Sequence, residues 1–278
     1  MARHSQFLPW QVAGQLTDRQ QSADDVVMAT GWVFNSASGS DAQTLAEFVS
    51  SGDVEVSMYL DAFGLAADET ERRVLVEIGC GIGRMTSAFT KRFSCVYACD
   101  LDSGFLERCR EAVAKFGRVD RLRTIHVPDG RTLDVPDGVA DLAFSYITLQ
   151  HCSRRDALSL AGESLRVLAP GGRIALNFRQ RVWADVALLP LGKVVRAVFA
   201  VPGLGPWLSK HRTFTRLAWQ VNRLDPHHVL GPIRDKVDDV VIWRNPRRSA
   251  PIWGAAGAEL RYLDAINPAH WWLVARRR

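Results

Sequence analysis

Val74-Leu75-Val76-Glu77-Ile78-Gly79-Cys80-Gly81-Ile82-Gly83-Arg84 is the stretch that decides the fold. An apolar run of strand length meets three glycines at alternate positions and then opens a segment of helical spacing. Glycines let the backbone turn sharply and let a ligand touch it without interference from a Cβ. A dinucleotide fingerprint orders its glycines G-x-G-x-x-G because a pyrophosphate sits on the helix N-terminus. Here the third glycine comes one residue early, and the acid Glu77 precedes the first by two. That pattern suits a ligand with an amino-acid tail and no phosphate.

Outward from this turn, strand-length apolar runs alternate with amphipathic stretches, the pattern of βαβ units and a parallel sheet. Strands are expected at Val74 to Ile78, Cys95 to Cys99, Leu122 to Val127, Ala140 to Ser145 and Arg173 to Phe178. Helices are expected at Arg84 to Arg92, Ser103 to Phe116 and Arg155 to Leu168, with Pro170-Gly171-Gly172 as the turn before the fifth strand. Residues 1–72 read as a helical prelude, with helical spacing at Thr44 to Val49 and Val54 to Phe63. The core spans 73–178. Residues 179–224 read as an insertion that lies as a lid over a pocket, its apolar stretch Trp183 to Leu208 interrupted by prolines, glycines and charges that rule out a spanning helix. In the closing part, 225–278, Val240 to Trp243 and Trp271 to Ala275 are strand-like and suit an antiparallel pair.

The bulk numbers fit one decorated domain: 278 residues, 47% hydrophobic and 23% charged. Much of the net charge of +5 is local, in Arg247-Arg248 and Arg276-Arg277-Arg278, and reads as a solvated surface. The five cysteines are odd in number and mostly set in apolar runs, which predicts reduced core thiols. Met1 to Trp10 has no continuous apolar stretch after its basic residues, so cytoplasmic residence is the expectation.

Twenty-one residues beyond Gly79 the second strand ends in Asp100, where a carboxylate can accept hydrogen bonds from both hydroxyls of a ribose. Asp129-Gly130 follows the third strand and can meet an adenine edge, or can be only a turn. With these residues in view, Glu77-Ile78-Gly79-Cys80-Gly81-Ile82-Gly83-Arg84 resembles the first motif of the class I S-adenosylmethionine-dependent methyltransferases. Cys99-Asp100-Leu101-Asp102, Pro128-Asp129-Gly130-Arg131, the run from Asp141 to His151, and Leu165 to Gly172 are similar, in order, to four further motifs of that family. The resemblance covers about residues 73 to 178. It implies an α/β, doubly wound, Rossmann-like sheet of seven strands with the last antiparallel. It implies S-adenosylmethionine as cofactor, its methionine end held by Glu77, Gly79, Cys80, Gly81, Gly83 and Arg84. Asp100 and Leu101 would then lie on the ribose, Asp129 and Gly130 near adenine, and Ser145 on the pocket floor.

Methyl transfer from a sulfonium is an in-line displacement that needs alignment and exclusion of water. For a hydroxyl acceptor a base helps, and His151, just past the fourth strand, is the candidate; its alternative is to shape a loop. Tyr146, Gln150, Trp183 and Trp219 are the expected acceptor contacts, and the lid's apolar wall suits a lipophilic, aromatic or sugar-bearing metabolite. The same apolar surface could pack on the sheet or between the subunits of a homodimer. Phe144-Ser145-Tyr146-Ile147 lacks the Pro-Pro-aromatic signature of base-amine methylation, which argues against nucleic acid, although RNA ribose methylation stays open. A membrane partner, using Lys193, Arg196, Lys210 and Arg212, is disfavoured. So is a metal at Asp225, His227, His228 and His270, since adjacent histidines are expected to point apart. A binding module without catalysis and a nicotinamide dehydrogenase are the competing classes.

Overall fold

The apolar run before the glycines is strand β1 (Val74–Ile78), four of its five residues buried. A strand covered by helices on both faces loses the polar alternation of a half-exposed one, which is why it reads as continuous hydrophobicity. In the computed structural model, which describes residues 44–65, 73–199, 222–247 and 257–278 with isolated positions 201, 204 and 217, β1 lies inside an eight-stranded sheet. The other strands are β2 (Cys95–Asp100), β3 (Leu122–His126), β4 (Ala140–Ser145), β5 (Leu168–Arg179), β6 (Val237–Arg244), β7 (Glu259–Tyr262) and β8 (His270–Arg277). Their order is β3-β2-β1-β4-β5-β8-β6-β7. The strands from β3 to β5 in this order are mutually parallel, and β8 is antiparallel to both β5 and β6. The order reverses between β1 and β4, and the crevice at the carboxyl ends of strands around such a point is where doubly wound sheets take their ligands.

Seven strands were expected and eight are found. The addition is β7, parallel to β6 at the sheet edge. All four of its residues are exposed, so Glu259-Leu260-Arg261-Tyr262 carries no buried face for a pattern to reveal. The last strand is antiparallel, as the family resemblance implies.

The helices are α1 (Leu45–Ala62), α2 (Thr86–Arg92), α3 (Ser103–Phe116), α4 (Arg154–Arg166), α5 (Asp185–Phe199) and α6 (Pro226–Leu230). One apolar core joins α4 and α6 to one face, and a second joins α1 and α2 to the other. Trp271 and Trp272 on β8 alternate across the pleat, so one fully buried indole enters each core. The two helical stretches expected at 44–49 and 54–63 are one helix, capped by the Thr44 and Glu47 side chains. Ser50-Ser51-Gly52 reads as a break, yet a Cβ on Gly52 would lie 2.1 Å from the Arg84 carbonyl oxygen. Glycine is there so that α1 can cross the loop after β1 at close range.

Candidate active site

A cavity of about 370 Å³ opens at the reversal point. Its walls are the glycine turn with Glu77 and Arg84, the β2 end from Cys99 to Asp102, the loop after β3, and the segment from Tyr146 to Thr148 with His151. Phe48 of α1 closes one side.

The glycine turn is fixed by hydrogen bonds from Gly79 N and Cys80 N to the Cys99 carbonyl, at 2.8 and 3.1 Å. Gly79 has φ +79°, and a Cβ there would meet Thr148 Oγ1 at 2.1 Å and Cγ2 at 2.2 Å. Thr148 itself donates to the Gly79 carbonyl at 3.3 Å. The loop after β4 thus presses onto the turn, and only glycine permits the approach. Ile147, next to Thr148, has φ +54°, a costly conformation for a β-branched residue. The Asn177 side chain accepts from its N–H at 3.4 Å.

Carboxyl groups dominate the polar lining. Glu77 is buried, accepts from Thr86 Oγ1 at 2.7 Å, and is pushed up to about 7 by burial, against the pull of Thr86 and Arg84. Asp100 is pushed up to about 6, again by burial, while the amides of Asp102 and Gly81 oppose the shift. Its two oxygens accept from Gly81 N at 2.8 Å and Asp102 N at 3.0 Å, leaving lone pairs for a ligand. Asp102 adds a third carboxylate while its Oδ1 caps α3 through Phe105 N. Arg84 is turned to α1, where it meets Glu55 at 2.7 Å and Ser51 at 3.3 Å. Such a wall suits a ligand bearing an ammonium, a sulfonium and a sugar diol, and opposes the two phosphates of a dinucleotide. The residues present therefore fit S-adenosylmethionine: Glu77 for the amino-acid end, Asp100 for the ribose, and the Val127 to Gly130 loop for the base.

The remaining expected residues divide. Cys80, Gly81, Leu101, Gly130, Tyr146 and His151 line the cavity with those above. Gly83 is in the same turn with φ +89°, packed against α3 at Cys109. Like Gly83, four others lie outside the lining. Ser145 is fully buried and donates to the Ile78 carbonyl at 2.9 Å, stitching β4 to β1. Asp129 is exposed, and its Oδ1 closes a turn by accepting from Arg131 N and Thr132 N. Gln150 is buried with its amide 3.3 Å from His151 Nε2, so it holds the imidazole and leaves the acceptor space to others. Trp183 is 95% exposed in the turn before α5 and absent from the lining. Trp219 lies outside the described residues. Thr148, Asp102 and Phe48 belong to the cavity without having been singled out, although Thr148 and Asp102 stood inside quoted motifs.

His227 and His228 do not point apart. Their ring centroids are 3.7 Å apart, and together with Asp225 they bring three metal-competent atoms within 4.8 Å of one another. The cause is the cap of α6: Asp225 N donates to His228 Nδ1 at 3.3 Å while the Asp225 side chain accepts from the helix. Both groups are occupied by this box. His270, by contrast, is a core histidine whose Nδ1 is 3.1 Å from Asn177 Oδ1 and whose pKa falls to about 3 through burial and the nearby Arg179.

Residues 76–176 match the family model described as a methyltransferase domain. Over 210 residues the chain is 27% identical to a trans-aconitate 2-methyltransferase of Methylobacterium radiotolerans, covering 71% of this chain and 73% of that protein. In fold it is similar to the magnesium protoporphyrin IX methyltransferase of Synechocystis solved with bound S-adenosylhomocysteine, with TM-score 0.54 and 13% identity over 94% of this chain and all of that one. A Bordetella parapertussis protein gives a TM-score of 0.53 at 15% identity, covering 98% of this chain and 86% of its own.

Proposed function

We propose, from the premise that this chain is a class I S-adenosylmethionine-dependent methyltransferase, that it methylates a hydroxyl of a small-molecule acceptor bound beside His151. The observation that carries the reading is the position of His151 on the cavity wall, at the end of a 3₁₀ turn (Leu149–His151) that follows β4. The bound sulfonium supplies an electrophilic methyl group. Glu77 would hold the cofactor's amino-acid end and Asp100 its ribose. His151 takes the hydroxyl proton as the acceptor oxygen attacks, its Nε2 lone pair giving up the hydrogen bond from the Gln150 amide to bind that proton. Tyr146 and Phe48 exclude water on the α1 side. A lipophilic, aromatic or sugar-bearing acceptor fits these aromatic neighbours.

The test is transfer of labelled methyl from S-adenosylmethionine to a panel of hydroxylated acceptors. His151→Ala is expected to lower kcat by about 10²–10⁴-fold with cofactor affinity unchanged. Unaltered turnover in that variant removes the base from the account, and no transfer to any acceptor favours a cofactor-binding module without catalysis.

A second reading rests on Arg179, whose Nε is buried without a hydrogen-bond partner among the described residues. It stands at the end of β5 in register with His270, near the Arg223–Asp185 pair. This half-buried guanidinium has Asp185 nearby and lies outside the cavity lining, and its unpartnered Nε would suit the carboxylate of an acceptor that reaches beyond the cavity, in keeping with the trans-aconitate in the relative's name. Carboxylate methylation needs no base, so transfer to trans-aconitate that survives His151→Ala but not Arg179→Ala is the result that selects it.

A further inference from the structure

Helix α5 and the turn before it present an apolar stripe to solvent. Trp183 is 95% exposed, Val186 76%, Val194 60% and Leu191 47%. At 100° per residue Val186, Leu191 and Val194 fall within an arc of about 140° centred opposite the buried Asp185 and Gly192, with Trp183 in the turn that leads into the helix. Single exposed apolar residues need no explanation, but a run along one helix headed by an almost fully exposed tryptophan marks an interaction surface.

Charge decides what covers it. Between residues 179 and 223 the chain carries eight lysines and arginines and one acid, Asp185. That acid is turned inward, 1% exposed, and bridged by Arg223 at 2.7 Å. The outer face of this segment therefore offers no negative charge, while Lys193 is exposed beside the stripe and Arg181 is exposed two residues before Trp183. Two copies meeting through such a face about a two-fold axis would set like charges together with no acid of the segment to balance them. A surface of anionic headgroups balances them instead. An apolar helix face flanked by cations and ended by a tryptophan matches the chemistry of helices that lie in the headgroup layer. None of the described helices is long and apolar enough to cross a membrane, so α5 would lie along the surface.

We propose that the outer face of α5 docks on an anionic phospholipid surface, with Trp183, Val186, Leu191 and Val194 entering the headgroup layer and Arg181 and Lys193 meeting lipid phosphates. This revises the sequence reading, which set a membrane aside. It does not depend on which acceptor the enzyme uses and is tested without turnover.

The experiment is co-sedimentation of the full chain with vesicles of phosphatidylcholine alone and of phosphatidylcholine mixed with phosphatidylglycerol. The wild type is expected to partition onto the mixed vesicles, weakly onto the neutral ones, and less as salt rises, since exposed charges are screened beyond about 10 Å at 0.1 M. Val186→Asp with Val194→Asp is expected to lower partition at least about tenfold. Arg181→Gln with Lys193→Gln is expected to lower the preference for the anionic vesicles by a similar factor without touching the apolar face. Both variants replace exposed side chains, and an unchanged melting temperature and S-adenosylhomocysteine affinity show that the fold is intact. Failure of the wild type to sediment with either vesicle overturns the proposal, as does equal partition of wild type and both variants. So does light scattering that finds a wild-type dimer which the aspartate variant splits, because the stripe would then be an interface between copies.

Discussion

Glu77 concentrates the physical tension of the site. Its carboxyl group is buried on the cavity wall and titrates near 7 in place of 4.5. Below about 4.5 both folded and unfolded chains hold this proton. Between 4.5 and 7 only the folded chain does, so stability falls as pH rises through that window and levels off above it. Asp100, raised from 3.8 to about 6, adds to the slope in the same direction. Melting temperatures of the ligand-free protein should therefore decline from about pH 5 to pH 7, and Glu77→Gln should flatten the decline. On the proposed placement of the cofactor's ammonium beside Glu77, binding would ionise the carboxyl, so calorimetry near pH 6.5 in buffers of different ionisation heat should register proton release that Glu77→Gln reduces. Gly79→Ala tests the turn itself. Its Cβ would collide with Thr148, and its φ of +79° disfavours any side chain, so a loss of about 1–3 kcal/mol in thermal unfolding is expected together with weakened cofactor binding. The sequence already announced Glu77, the glycines and Asp100, because an acid before a glycine turn and an acid ending the next strand are local patterns. It could not announce Thr148 or Phe48, whose roles arise from contacts between segments far apart in the chain.

At the scale of elements, β1 and β4 were legible because strands buried on both faces must be apolar throughout, whereas β5 starts at Leu168 and takes in the Pro170-Gly171-Gly172 stretch expected as a turn before it. The edge strand β7 was hidden for the opposite reason, having no buried face at all. Helix α1 was seen in two pieces because Gly52, placed for a backbone crossing, looks like a helix breaker in the one-dimensional pattern. Helix α5 runs through Pro190, which the sequence reading took as an interruption of the lid. Its start is held by Arg223, which grips Asp185 with two hydrogen bonds of 2.9 and 2.7 Å where both side chains are almost fully buried. Asp185→Asn leaves that guanidinium without its countercharge. The expected loss is about 3–5 kcal/mol in denaturant unfolding, the range for breaking a buried pair from one side. No described residue of α5 lines the cavity.

In the whole molecule, β8 is the member on which everything converges. It is the last strand in sequence but lies between β5 and β6, and its Trp272 ring sits 4.7 to 5.5 Å from those of Tyr59, Phe63, Phe144 and Tyr146. Helix α1, the sheet and the cavity wall thus share one aromatic cluster. Trp272→Ala should cost about 3–5 kcal/mol of stability. Trp272→Phe should cost less, because it also removes an indole N–H that is buried without a partner among the described residues. The same cluster ties the two ends of the described chain to the site. The most direct test of the account is a calorimetric titration of the purified chain with S-adenosylhomocysteine. Saturable one-to-one binding that Asp100→Ala weakens at least about tenfold, in line with the loss of a charge-assisted hydrogen bond, is the predicted result. No saturable heat from the wild type, or equal affinity in the Asp100 variant, would contradict it.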